Sequence, residues 1–190
     1  MKRVTFDTLR QRLAARTPLR ATGPGLIEAA VAIVLAPGED GDLELLFIKR
    51  AEVPQDPWSG QMALPGGRRE DGDPDLLTTA TRETHEETAV ELPREAVLGE
   101  LDDLAPSTPV LPPIVVRPFV FGLPDKPAVT PSHEVALHLW TSFTALPAAA
   151  GESEVLVRGF RGVRPAFLIG PHVVWGITHR ILSDLIALAE

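Results

Sequence analysis

The most constraining stretch of this chain is residues 60–90, GQMALPGGRREDGDPDLLTTATRETHEETAV, where a glycine pair runs into one short acidic helix. Asp73 can accept hydrogen bonds from the free amides of a helix start, and Pro74 behind it suits a first helical position. Leu76, Leu77, Ala80 and Thr84 then recur at helical spacing and give the helix one face for a core. On another face stand Glu83, Glu86 and Glu87 at i, i+3 and i+4, so three carboxylates converge within about one turn. Like charges at these spacings repel, and the C-terminal end of a helix disfavours anions further. Arg82 relieves part of this by reaching Glu86 at i+4. Hard oxygen donors at this density suit Mg2+ or Mn2+, whose charge turns repulsion into coordination. An isolated E-x-x-E-E is more often a solvated acidic face. Gly66 and Gly67 just upstream tip the balance, because backbone without a side chain can approach a metal or a phosphate.

Length and composition bound what surrounds that helix. The 190 residues are expected to form one domain, with 1–27 as an N-terminal helix and tether and 28–190 as the core. A formal net charge of −8 argues against nucleic acid or an anionic membrane as partner, and it means that an anionic substrate needs local cations. The absence of cysteine excludes disulfides, zinc thiolates and a cysteine nucleophile. The start MKRVTFDTLRQRL lacks an apolar core of signal-peptide length, and no apolar run reaches membrane-spanning length, so a cytoplasmic protein is expected.

Along the chain, Val4, Phe6, Leu9 and Leu13 predict a short amphipathic helix, followed by a turn-rich ordered tether over 16–25. The arginines here, including Arg10, Arg12 and Arg16, either solvate the surface or line a phosphate site. Residues 29–36 and 43–50 read as a hairpin about PGEDGD. Further strands are expected at QMALP, 96–104, 114–123 and 135–143, and a hairpin over 154–171 turning at Gly159–Gly162 near Arg158, Arg161 and Arg164. Pro118 inside its strand points to an edge or a bulge. The segment HVVWGITHRILSDLIALA reads as one periodic helix with Val174, Ile177, Ile181, Leu185 and Leu188 on its core face.

The central stretch resembles the Nudix box, G-x5-E-x7-R-E-U-x-E-E-x-G-U with U aliphatic: Gly67, Arg82, Glu83, Glu86, Glu87 and Val90 match. Asp73 stands where the pattern has Glu, Ala89 where it has Gly and Thr84 where it has an aliphatic residue, and Asp73 and Arg82 are nine apart instead of eight. The longer spacing, the proline loop before VVRPFVFGL, the S-H-E-V strand entry and the W-G-I-T helix start look like the coenzyme A pyrophosphatase branch. That branch usually has L-L-T-x-R-S and a further arginine; here the strand reads LLFIKRAE, with no arginine between it and Gly60.

The resemblance implies an α+β fold, an α/β/α sandwich with a mixed sheet between helices, in a monomer or homodimer acting on a small-molecule diphosphate. It implies Mg2+ or Mn2+ held by Glu83, Glu86, Glu87 and the Gly67 carbonyl, with Arg82 keeping the glutamates in register. Glu83 or Glu134 takes the proton of the attacking water. For coenzyme A the products are 4′-phosphopantetheine and adenosine 3′,5′-bisphosphate, and Arg50, Arg68, Arg69 and Arg117 are the candidates for its 3′-phosphate. Trp58, in a loop facing the cleft of that fold, either stacks on the base or pins the loop to the core. Another diphosphate (ADP-ribose, a dinucleoside polyphosphate or a deoxynucleotide) or an idle nucleotide-binding module are the rival readings.

Overall fold

The computed structural model describes residues 3–39, 41–54, 58–105, 113–157 and 160–190. A mixed sheet is built from β1 (Ile27–Pro37), β2 (Leu43–Arg50), β3 (Met62–Ala63), β4 (Gly66–Arg68), β5 (Val97–Glu100), β6 (Ile114–Gly122) and β7 (Val135–Ser142). The helices are α1 (Phe6–Ala14), α2 (Leu76–Thr88) and α3 (Gly176–Ala189). A second, antiparallel sheet consists of β8 (Ala150–Val157), β9 (Phe160–Ile169) and β10 (His172–Trp175), in the order β10-β9-β8.

The side chains of β1 set the layers, because successive residues of a strand point to opposite faces. Ala29, Ile33 and Leu35 join Leu9 and Leu13 of α1 and Ile181 and Leu185 of α3 in one core. Ala30, Ala32, Val34 and Ala36 join Leu76 and Ala80 of α2 in the other. Three of those four are alanines, so α2 can lie close against the sheet. The result is the expected α/β/α sandwich.

Within the sheet β1 runs parallel to β6 over Ile27–Leu35 and pairs with β2 only over Leu35–Pro37. Beyond that point the two strands diverge. β4 takes over the free flank of β1, with Gly67 opposite Ala30, and β3 takes that of β2, with Ala63 opposite Ile48. This insertion sets the glycine pair in the middle of the sheet and beneath α2.

Three sequence expectations change here. β6 lies between β1 and β5, so Pro118 is not on an edge; its missing amide falls where regular pairing with β5 has ended. There Leu101 N–H donates to the Pro118 carbonyl at 3.0 Å and an isolated bridge joins Leu104 to Val116. The C-terminal helix starts later than its periodicity suggested. His172–Trp175 instead pair with β9, and Gly176, at φ 66°, turns the strand into α3. The arginines of the tether serve neither of the expected roles. Arg16 pairs with Asp102, and Arg20 reaches the Leu101 carbonyl at 3.0 Å and pairs with Glu100 and Asp103. The tether is ordered by these contacts. The expected turn at Gly159–Gly162 falls partly outside the described residues; β8 and β9 pair up to Val157 opposite Phe160.

Candidate active site

α2 begins one turn after the glycine pair, and its cap is Asp75, not Asp73. The Asp75 carboxylate accepts from the Thr78 N–H at 2.7 Å, satisfying a free amide of the first turn. Asp73 is buried for another purpose. It accepts from Arg82 Nε at 3.1 Å and Nη2 at 2.9 Å, from Thr79 Oγ1 at 2.9 Å and from Glu70 N–H at 3.1 Å. The Arg82 hydrogen bonds hold its carboxyl far below the usual carboxylate range, against the opposing effect of burial.

Arg82 spends its remaining donors on the functional face. Nη1 donates to Glu83 Oε1 at 3.0 Å and to Glu86 Oε2 at 3.1 Å, and Nη2 donates to the Arg68 carbonyl at 3.0 Å. One guanidinium therefore fixes the turn at 68–73 and two of the three glutamates. Its own charge is stabilised chiefly by Asp73.

The glycines are shaped by what lies against them. A Cβ on Gly67 would stand 2.4 Å from the Glu83 carboxyl carbon and 2.5 Å from both its oxygens. A Cβ on Gly66, at φ 149°, would stand 2.3 Å from the Ala30 carbonyl oxygen. Gly66 is therefore needed by the sheet and Gly67 by the carboxylate.

Glu87 is buried, with Oε2 accepting from Gly66 N–H at 2.9 Å and Oε1 3.9 Å from Arg50 Nη1. Burial dominates and pushes its carboxyl from an ordinary 4.5 up to about 7; Gly66 and Arg50 pull it back, and Glu83 and Glu134 push it higher. Burial likewise raises Glu83, opposed by Arg82 and assisted by Glu86 and Glu134. Glu134, at the entry to β7, thus lies close enough to act on both helix glutamates. Its backbone carbonyl accepts from Ala51 N–H at 2.8 Å, which fixes it beside the end of β2.

These groups open into a cavity of about 1040 Å3. Gly67, Glu83, Glu87 and Glu134 line it with Arg50, Trp58 and Arg68, so most of the residues singled out in sequence are brought together. Four are not on its wall, Arg82, bound to Asp73 and the glutamates, being the first. Glu86 is held at the helix surface by Arg82. Arg69 is taken up by Glu28 Oε2 at 2.7 Å and by the Asp73 and Pro74 carbonyls. Arg117 is clamped by Asp103 through bonds of 2.8 and 2.9 Å. Both arginines, expected in sequence to meet substrate, are engaged by scaffold carboxylates and lie off the wall of this cavity. Conversely Arg161 and Arg164 of β9 and Arg180 of α3 also line the cavity. The sequence showed the first two as an arginine cluster but gave no reason to set them in the site, and Arg180 carried no signal at all.

The donor set suits a hard cation in part. Among the described residues no three acidic or imidazole side chains are grouped as a closed metal cage. Mg2+ does not need one, since it keeps several waters and is commonly held by one or two carboxylates plus substrate phosphates. A buried Glu87 beside Glu83 and the glycine backbone fits that mode.

A family model for the NUDIX domain matches residues 26–158. The mitochondrial coenzyme A diphosphatase NUDT8 of Mus musculus is 31% identical over 183 residues, covering 93% of this chain and 83% of that protein. Among solved structures, a MutT/nudix family protein from Enterococcus faecalis superposes with a TM-score of 0.59 at 15% identity, over 97% of this chain and 68% of that one. The NUDIX domain of Shewanella oneidensis NrtR, solved with ADP ribose, gives 0.54 at 20% identity, over 73% and 85%. At these identities the two structures speak for the fold.

Proposed function

The chain belongs to the Nudix family and is a pyrophosphohydrolase, and on that premise we propose that it cleaves the diphosphate of coenzyme A or a close derivative. The observation that carries the substrate is the cavity: at about 1040 Å3 it is lined by Glu83, Glu87 and Glu134 and also by arginines from β2, β4, β9 and α3. That is at the upper end of the size of small-molecule sites and suits a long substrate with phosphate at two places. The mouse relative, aligned over 93% of this chain, is named as a coenzyme A diphosphatase.

Members of the family generally act with divalent metals. Here Glu83, Glu86, Glu87 and the Gly67 carbonyl would hold Mg2+ or Mn2+, with waters and substrate oxygens completing the shell. A divalent ion so held offsets charge on the diphosphate and acidifies a water for attack on phosphorus. Arg82 works from behind, keeping Glu83 and Glu86 in register. Arg50 and Arg68, on the cavity wall, meet diphosphate oxygens.

Glu134 is the better proton acceptor of the two carboxylates considered. Glu83 gives one oxygen to Arg82 at 3.0 Å and lies flat against Gly67. The Glu134 side chain is exposed in the cavity and within electrostatic reach of both Glu83 and Glu87. The cytoplasmic expectation rests on sequence alone, since the mouse relative is named as mitochondrial; among the described residues no helix is long and apolar enough to cross a membrane.

The test is a panel of coenzyme A, ADP-ribose and a dinucleoside polyphosphate with Mg2+ or Mn2+, with the products identified by mass. Coenzyme A should give 4′-phosphopantetheine and adenosine 3′,5′-bisphosphate with the highest kcat/KM. Faster turnover of ADP-ribose would overturn the substrate while leaving the family reaction.

A further inference from the structure

The NUDIX model matches residues 26–158, so α1 and most of the tether behind it lie outside the matched part. The tether still acts on the cavity, through the residues that follow β5. Asp103, Leu104 and Ala105 line the cavity with Ile114 and Val116 of β6. β6 holds this segment first: an isolated bridge joins Leu104 to Val116, and Arg117 Nε and Nη2 donate to the Asp103 carboxylate at 2.8 and 2.9 Å. The tether holds it too. Arg20 Nη1 donates to Asp103 Oδ1 at 3.3 Å and to the Leu101 carbonyl at 3.0 Å, and Nη2 pairs with Glu100. Ala21 N–H donates to Asp103 Oδ2 at 3.1 Å, and Asp103 N–H donates to the Leu19 carbonyl at 2.9 Å.

Ion pairs on the surface of an acidic chain are ordinary and contribute little. This one differs in its burial. The Asp103 side chain is 1% exposed, and a carboxylate removed from water must have its oxygens met by donors. Burial pushes its carboxyl up, but Arg117, Ala21 N–H and Arg20 together outweigh this and keep it below the ordinary carboxylate value. Two arginines from distant parts of the chain thus share one buried carboxylate in the cavity wall. The glutamates of α2 hang on a different network, that of Arg82 and Asp73. The shape of this wall and the placing of the acidic groups are therefore set separately.

We propose that Arg20 is a positioning residue: by clamping Asp103 from the tether, it fixes the 101–105 wall of the cavity and so sets the affinity for substrate and not the rate of the chemistry. The inference rests on the reading that this cavity holds the diphosphate substrate. It gives the segment ahead of the matched domain a part in the reaction. Binding lost equally from ground state and transition state raises KM and leaves kcat unchanged, which is the signature expected here.

The experiment measures kcat and KM for Arg20→Ala with Mg2+, on whichever of coenzyme A and ADP-ribose the wild type turns over faster. KM should rise at least about fivefold while kcat stays within about twofold. Arg20→Lys, which keeps a charge for Asp103 and Glu100, should restore most of the loss. Arg12→Ala is the control for a loosened N-terminal segment, since Arg12 ties α1 to the Leu188 carbonyl at 2.6 Å and lies off the cavity wall. It should lower Tm with KM unchanged. Hydrogen exchange reads the wall without turnover: amides 101–105 should exchange at least about tenfold faster in Arg20→Ala than in wild type. If Arg20→Ala does not fold, Arg20→Gln replaces it with the same expectations. An unchanged KM, a KM raised as much in Arg12→Ala, or a fall confined to kcat overturns the proposal. ADP-ribose turned over in place of coenzyme A, with this pattern intact, overturns only the substrate. Coenzyme A turned over with KM and exchange unaltered in the variant overturns the role of Arg20 alone.

Discussion

Gly66 and Gly67 are adjacent, yet adding one methyl group should break different things. In Gly67→Ala the new Cβ meets only the far end of a flexible side chain, the Glu83 carboxylate, at 2.4–2.5 Å. Ordinary contact needs about 3.5 Å, so the carboxylate must retreat by about 1 Å. That retreat strains or breaks its 3.0 Å bond from Arg82. One charge-assisted hydrogen bond at a half-buried site is worth about 1.5 to 3 kcal/mol, part of which water restores, so the loss of stability should be about 1 kcal/mol. At this chain length that lowers Tm by roughly 2–4 °C. Turnover should suffer far more, because misplacement of a catalytic group by about 1 Å costs about 10²-fold. In Gly66→Ala the Cβ meets backbone, the Ala30 carbonyl at 2.3 Å and Val31 Cα at 2.6 Å, at a φ of 149°. Nothing there can rotate aside, and a loss of about 4 kcal/mol or more is expected, enough to prevent folding. Thermal melting and coenzyme A hydrolysis with Mg2+, run in parallel on both variants, separate the cases. A folded Gly67→Ala with kcat/KM within threefold of wild type would refute the placing of Glu83 in the chemistry.

Metal-free protein should lose stability as pH rises. Glu87 keeps its proton to about pH 7 when folded but releases it near 4.5 when unfolded. The native state therefore binds more protons in that window, and the contribution is full below pH 4.5 and gone above 7. The difference is about 3 kcal/mol, read as the fall in chemical-denaturation midpoint from pH 4.5 to 8. In Glu87→Gln, which keeps the acceptor for Gly66, the Glu87 share of this slope should disappear, leaving that of the raised Glu83, and turnover should drop at least ~10²-fold. Ala89 is the one non-glycine residue with positive φ among the described residues, at 57°, so Ala89→Gly should stabilise by about 0.5–1 kcal/mol after allowing for unfolded-chain entropy; a lower Tm would contradict this. Glu134→Gln should cost ~10² to 10⁴-fold in rate and flatten the acid limb of the pH–rate profile, and an unchanged profile would return the proton to Glu83.

Much of the fold was legible because it rests on local periodicity. The alternation along β1 and the spacing of Leu76, Ala80 and Thr84 state which side chains face which layer, and the structure follows them. Where the reading missed, two local solutions were equally good and a distant residue chose between them. The segment D-P-D offers two caps for α2, and Asp73 is withdrawn from the choice by Arg82, nine residues on. His172–Trp175 fit a helix pattern, but β9 presents an open edge to which Val173 and Val174 are better suited.

The same division governs the site. Glu83 and Glu87 belong to one helical turn, so their meeting at the cavity was set by spacing alone. The cations belong to different elements, and nothing in the identity of an arginine says which carboxylate it will find first. Arg69 and Arg117 look no different in sequence from Arg50 and Arg68, yet Glu28 and Asp103 capture the first two while the others face the cavity. In a chain this acidic, an arginine near a strand end meets a carboxylate of the scaffold unless the fold holds it at a cavity wall. On β9 the carboxylate paired with Arg161 is the exposed Glu154, and Arg161 keeps a place on the cavity wall.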